Sequence, residues 1–86
     1  MTYHLYILRC SDDSLYTGIT TDLDRRLAEH NGVASAKGSG AKYTRSRRPV
    51  SLIYSKEYPD RSVASLEEAR IKALSRAEKL ALIKKT

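Results

Sequence analysis

Two short β-prone runs stand next to each other at the start of the chain and limit what the rest of it can build. Tyr3–Cys10 (YHLYILRC) and Leu15–Ile19 (LYTGI) mix β-branched, aromatic and aliphatic residues, and the polar cluster Ser11-Asp12-Asp13-Ser14 separates them. Runs of this kind around a polar turn read as a β-hairpin. With 86 residues in all, there is room for one small domain, residues 1–86. A chain of this size buries only about 60% of the surface that its unfolded form exposes. A large pocket or a buried organic cofactor is therefore excluded, and any site must be shallow.

The segments that follow supply partners for the hairpin. Thr20, Thr21 and Asp22 offer N-cap oxygens, Leu23 and Leu27 recur at i and i+4, and Asn31-Gly32 is a stop signal, so a helix is expected from about Asp22 to His30. Val33 to Arg48 holds Gly, Ser, Ala, Lys and Arg without apolar periodicity and reads as a loop, with room for one short helical turn. Loops this long in a small domain usually carry function. Pro49 precedes Val50–Tyr58, where Val50, Leu52 and Tyr54 alternate with Ser51, Ile53 and Ser55 as in a third strand. Pro59 marks the next boundary. Asp60 and Ser62 can cap a second helix through about Leu74, and Ser75 with Glu78 forms a capping box for a third, through about Ile83. There are no internal repeats or linkers. The order ββαβαα implies a small α+β fold, a three-stranded antiparallel sheet flanked by helices.

Composition narrows the partners. The apolar runs are far shorter than a membrane span needs, and the N-terminus lacks a signal-peptide plan, so no membrane association and a cytoplasmic location are expected. The single cysteine, Cys10, cannot form an internal disulfide and has no zinc-ligand spacing around it; it reads as an inert strand residue. Sixteen Lys and Arg against ten Asp and Glu give a net charge of +6, which suits a polyanion such as nucleic acid or an acidic membrane surface. Lys37, Lys42, Arg45, Arg47 and Arg48 fall within twelve residues that contain no acid, which makes the loop the candidate nucleic-acid contact. Trp and Phe are absent, so six tyrosines are the only aromatics. Tyr43, in the basic loop, could stack on a base or anchor the loop to the core.

Four further residue sets could carry chemistry, and each has a plain structural reading beside the functional one. Arg26 borders the Leu23/Leu27 stripe and could hold a phosphate bidentately near the sheet, or cover apolar surface with its stem. His30, four residues on, shares its face and could be a base or simply a residue favoured at a helix C-terminus. Ala64, Glu68, Ile71 and Ser75 line one side of the second helix, which places a carboxylate in a largely apolar stripe. Glu68 then needs a cation: a hard ion such as Mg²⁺, or Lys72 at i+4. Tyr6 and Tyr16 stand in the two hairpin strands and are good β-formers, while Gly18, two beyond Tyr16, marks a close backbone or ligand approach.

In order along the chain, these residues resemble the GIY-YIG nuclease family. The first motif appears as His4-Leu5-Tyr6 and the second as Tyr16-Thr17-Gly18, followed by Ile19-Thr20 and then Asp22-Leu23-Asp24-Arg25-Arg26-Leu27-Ala28-Glu29-His30-Asn31. Two tyrosine motifs ten residues apart, an arginine ten residues further and a glutamate on a later helix make an ordered set that spans nearly the whole chain. The run Gly40-Ala41-Lys42-Tyr43-Thr44 through Pro49 is similar to the small single-domain bacterial branch, and to the catalytic subunit of eukaryotic nucleases that cut branched DNA. The resemblance implies that Tyr6 and Tyr16 position or deprotonate the attacking water, that Arg26 grips the scissile phosphate, and that Glu68 holds one Mg²⁺ or Mn²⁺. His30 and Tyr43 would be auxiliary. His4 stands where the family's first motif has Gly.

The expected function is a metal-dependent endonuclease hydrolysing DNA, structure-selective or single-strand-preferring, with RNA left open as a substrate. The alternative is a nucleic-acid-binding module of the same fold with little or no cleavage, and a structural interaction protein comes third. Members that carry separate DNA-binding domains find their targets with them, so weak target selection, or selection by a protein partner, is expected here. The resemblance also constrains the hairpin. A two-residue turn at Asp12-Asp13 would leave Tyr6 and Tyr16 on opposite faces, so a shared site requires an odd-length loop or a bulge.

Overall fold

A computed structural model describes residues 2–32, 44 and 47–84. The expected order is present: β1 (Tyr3–Arg9), β2 (Leu15–Thr20), α1 (Leu23–His30), β3 (Ser51–Tyr58), α2 (Arg61–Lys72) and α3 (Arg76–Lys84). The strands form one antiparallel sheet in the order β2-β1-β3, so the hairpin's first strand is central and both neighbours are edges. Among the described residues, no helix is long and apolar enough to cross a membrane.

The hairpin meets the register requirement with an odd loop. Tyr6 pairs with Gly18, Leu8 with Tyr16 and Arg9 with Leu15, leaving the five residues 10–14 as the connection. Asp13 turns the chain with φ at 68°, and the Cys10 N–H donates to the Ser14 carbonyl at 2.9 Å. Even-numbered residues of β1 and β2 therefore share one face. Cys10 lies just past the strand end and is buried, as a packing thiol should be.

The helix caps are those the sequence offers. Asp22 accepts from the Arg25 N–H at 3.1 Å and Asp60 from the Val63 N–H at 3.0 Å. Ser75 and Glu78 form the capping box in both directions, at 2.8 and 3.2 Å. α2 stops at Lys72 rather than Leu74, with Ala73 as its C-cap.

The third strand departs from its expected alternation. Asn31 uses its side-chain amide to bond both the N–H and the C=O of Val50, at 2.7 and 3.1 Å, so the ladder starts only at Ser51. The pairing then runs Leu8 with Leu52 but Ile7 with Tyr54, a bulge at Ile53. One extra residue moves the next side chains to the other face. Val50 packs with Tyr6 and Leu8 while Tyr54 packs with Leu5 and Ile7, and Leu52 is left 37% exposed.

The core has two parts, one on each face of β1. Leu5, Ile7, Tyr54 and Ile71 form the first, with Leu74, Leu82 and Ile83 from the α2–α3 side packed against it. Tyr6, Leu8, Cys10 and Val50 form the second, closed by Tyr16 and by Leu23 and Leu27 of α1. The spacing of those two leucines is what lays α1 along this face.

Candidate active site

Tyr6 is the centre of the second face. Only 2% of its surface is exposed, and its ring lies across β2 at Gly18. A Cβ on Gly18 would stand 2.5 Å from the Tyr6 hydroxyl oxygen and 2.7 Å from Cζ, so no other residue type leaves the tyrosine where it is. This is the close approach that a strand glycine signals.

Three side chains converge on that hydroxyl. His30 Nε2 lies 2.9 Å from it, and the Arg26 guanidinium stands close enough for its charge to act on it. Tyr16 completes an aromatic group, its ring centroid 6.4 Å from that of Tyr6 and 5.2 Å from that of His30. Tyr6, Tyr16, Arg26 and His30 are thus brought together, as the sequence leads one to expect. His4 lies on the same face of β1, one strand period from Tyr6 and paired with Thr20.

Burial sets the protonation states. Desolvation above all pushes the Tyr6 hydroxyl up to about 12, with Tyr16 and the Glu68 carboxylate adding to the rise and Arg26 opposing it. Desolvation likewise brings His30 down to about 4; Arg26 and Arg48 add to this and Glu29 opposes it. At neutral pH the pair is a neutral phenol beside a neutral imidazole. Burial also disfavours the Arg26 charge, but its interactions with Glu29 and Tyr6 outweigh this and raise its pKa.

Glu29 was not among the expected site residues. It is 7% exposed and takes Arg26 Nη1 at 3.0 Å and Arg25 Nε at 3.4 Å. The signal was available, since Glu29 stands at i+3 from Arg26 and i+4 from Arg25 on one helix. Its effect is to aim Arg26, whose side chain keeps 31% of its surface open. Thr44 was also missed as a site residue, although it ends the Gly40-Ala41-Lys42-Tyr43-Thr44 run that resembles the family. It is fully buried, with Oγ1 2.8 Å from His30 Nδ1.

Glu68 stands on α2 and bears on the site through its charge. Its side chain is 23% exposed, and its carboxylate is paired with Lys72 Nζ at 3.2 Å. Of the two partners read from the sequence, the structure forms the i+4 ion pair with Lys72, and the carboxylate's charge also acts on the phenol. Glu67 points elsewhere, to Arg70 at 2.7 Å. Among the described residues no three His, Cys, Asp or Glu side chains cluster as a metal cage.

The basic residues divide. Arg48 donates from Nε to the His30 carbonyl at 2.7 Å and from Nη2 to the Glu29 carbonyl at 3.5 Å, which caps the C-terminus of α1. Gly32, at φ 69°, leaves the room: a Cβ there would stand 2.6 Å from Arg48 Nη1. Arg47 pairs with Asp12 at 2.9 Å, and its side chain is 35% exposed. Lys37, Lys42, Tyr43 and Arg45, with the short helical turn expected near them, lie outside the described residues.

A three-stranded sheet that holds two tyrosines, an arginine and a histidine on one face, with a glutamate from a later helix, defines a class. Residues 2–81 match the family model described as the GIY-YIG catalytic domain, and the chain belongs to the GIY-YIG family, a family of nucleases. Its relatives are small UPF0213 proteins. One from Halobacterium salinarum is 51% identical over 80 residues, covering 93% of this chain and 97% of its own length. Another, from Staphylococcus haemolyticus, is 46% identical and covers 94% of this chain and 93% of its own. The solution NMR structure of a UPF0213 protein from Bacillus halodurans is similar, with a TM-score of 0.61 and 45% identity across 98% of this chain and 84% of that one. A second NMR structure, of a protein from E. faecalis, gives a TM-score of 0.62 at 41% identity across 95% and 83%.

Proposed function

We propose that the chain is a divalent-metal-dependent endonuclease that hydrolyses phosphodiester bonds in DNA, selective for a DNA structure or for single strands. The observation that carries this reading is the grouping of Arg26, Tyr6 and His30: a cation beside a hydroxyl that has a proton acceptor behind it.

Each residue then has a task. Arg26, aimed by Glu29, binds the scissile phosphate and offsets its developing charge. Tyr6 and Tyr16 hold the attacking water. As the water oxygen bonds to phosphorus, its proton passes to Tyr6 Oη while the Tyr6 proton passes to His30 Nε2; the bond from phosphorus to the leaving oxygen breaks with its electron pair staying on that oxygen, which takes a proton from solvent. Forming a free phenolate first is uphill, because burial raises the Tyr6 hydroxyl to about 12 and lowers His30 to about 4. Both proton shifts therefore belong to one step.

Glu68 is the residue that would hold the metal. A single partly exposed carboxylate suits a hard ion that keeps most of its waters and takes substrate oxygens for the rest. When bound, Mg²⁺ or Mn²⁺ supplies a Lewis acid for the phosphate and leaving oxygens. Lys72 must then give up its bond to Glu68.

That ion pair is also what favours a second reading, a nucleic-acid-binding module whose carboxylate serves Lys72 alone. Glu68→Gln separates the two. Purified parent and variant are assayed on single-stranded, duplex, flap and junction DNA with and without Mg²⁺ or Mn²⁺. The nuclease reading expects cleavage by the parent only with metal, a loss of roughly 100-fold or more in the variant, and DNA binding kept or strengthened. Glu67→Gln should be nearly silent. Binding without cleavage by the parent on every substrate selects the module.

A further inference from the structure

His30 is held at three points, two on its ring and one on its backbone, and its motif partner Tyr6 accounts for only one. Nε2 meets Tyr6 Oη at 2.9 Å, Nδ1 meets Thr44 Oγ1 at 2.8 Å, and the backbone carbonyl accepts from Arg48 at 2.7 Å. Thr44 comes from the segment between α1 and β3, fourteen residues further along the chain, and none of its surface is exposed. Such a side chain, stiff at χ1, gives the ring a fixed partner.

The direction of these bonds can be assigned. A neutral imidazole carries one ring proton, so it donates from one nitrogen and accepts at the other. Tyr6 is 2% exposed, so its hydroxyl proton needs an acceptor within the protein. Among the described partners of this hydroxyl, only His30 Nε2 can accept the phenol proton. Nε2 is therefore bare, and the ring proton sits on Nδ1, where the Thr44 oxygen accepts it. The opposite tautomer gives the Tyr6 proton no acceptor among these groups and blocks the nitrogen that faces it.

We propose that Thr44 is a positioning residue that fixes the Nδ1–H tautomer of His30 and so keeps Nε2 open to the Tyr6 proton. Only its consequence for cleavage rests on the nuclease reading; the tautomer itself is a property of the protein without DNA. After the proton has moved to Nε2, the ring is an imidazolium, and its Nδ1–H still has Thr44 to donate to. The hydroxyl therefore serves both protonation states without rearrangement. In this way Thr44 ties the side chain of His30 to the segment between α1 and β3, while Arg48 ties its backbone to the same segment.

Long-range ¹H–¹⁵N correlation of the ring nitrogens tests this directly in the full chain near pH 7, with His4 as the second imidazole for assignment. The parent should show His30 protonated at Nδ1; protonation at Nε2 overturns the proposal without any variant. Thr44→Val keeps the shape but removes the acceptor, so it should move the proton toward Nε2. It should also lower kcat roughly tenfold or more at unchanged KM for DNA. Thr44→Ser should restore the parent spectrum and rate. A Val variant with the parent tautomer and a kcat within twofold of the parent also overturns it. A tautomer shift in the Val variant, with no cleavage of any DNA by the parent, upholds the positioning role and removes the nuclease reading instead.

Discussion

The two faces of β1 use the same backbone for opposite purposes. On one face Leu5 and Ile7 meet Tyr54 and Ile71, an apolar contact that needs only shape and burial. On the other, beside the partly open Arg26, Tyr6 meets His30 and, through it, Thr44, polar groups buried only because each has a partner. Burial alone does not tell the faces apart, since Ile7 and His30 are both fully buried. What differs is the consequence of removing one group: a cavity on the first face, an unpaired donor or acceptor on the second. Stability should therefore concentrate on the odd-numbered face and chemistry on the even-numbered one.

Neighbouring substitutions on one strand give the largest contrast. Tyr6→Phe keeps the ring in its slot over Gly18 and removes only the hydroxyl. Cleavage should fall by roughly 10² to 10⁴, while urea unfolding shifts by no more than about 2 kcal/mol. Ile7→Ala should do the reverse. Unfolding should become easier by about 2 to 5 kcal/mol, with the rate per folded molecule close to that of the parent. Equal effects of the two variants on rate and on stability would break the division between the faces.

Acid should expose the same division. His30 is held near 4 in the folded state, against an ordinary value of 6.5. Between those values the unfolded chain takes up a proton that the folded chain refuses. Stability from this residue is therefore complete above pH 6.5 and lost as pH falls toward 4, by up to about 3 kcal/mol. Measured unfolding free energies should follow that slope, and His30→Gln should flatten it. Loss of stability confined to pH below 4 would show that His30 titrates like a solvated imidazole.

What could be read from the sequence follows the same boundary between local and distant. The hairpin, the caps Asp22 and Asp60 and the Ser75/Glu78 box were legible, because each signal is complete within a few residues. So was the shared face of Tyr6 and Tyr16, once one site was required of them. The bulge at Ile53 was not, because a strict alternation in Val50–Ser55 reads as regular until the pairing with β1 is known. Arg47 and Arg48 read as part of a basic run. Their partners, Asp12 and the carbonyls of Glu29 and His30, lie 35, 19 and 18 residues away. Net charge along a segment cannot reveal such partners. The bond of Thr44 to His30 was silent for the same reason.

The smallest expected effect comes from the one polar group that does not fit its face. Thr17 sits on β2 opposite Ile7, on the apolar side, and is 2% exposed. Among the described residues its hydroxyl oxygen has no hydrogen-bond partner. A hydroxyl in that position costs desolvation without return, whereas valine fills nearly the same volume with a methyl group and is equally suited to a strand. Thr17→Val should therefore stabilise the protein by about 1 kcal/mol, raising Tm by roughly 4 to 8 °C for a domain of this size. Because the residue faces away from Tyr6, cleavage and DNA binding should not change. Thermal unfolding of parent and variant checks the first part, and activity at matched concentration the second. A lower Tm would mean that the hydroxyl is bonded in solution, and that this face, too, contains a polar contact that holds it together.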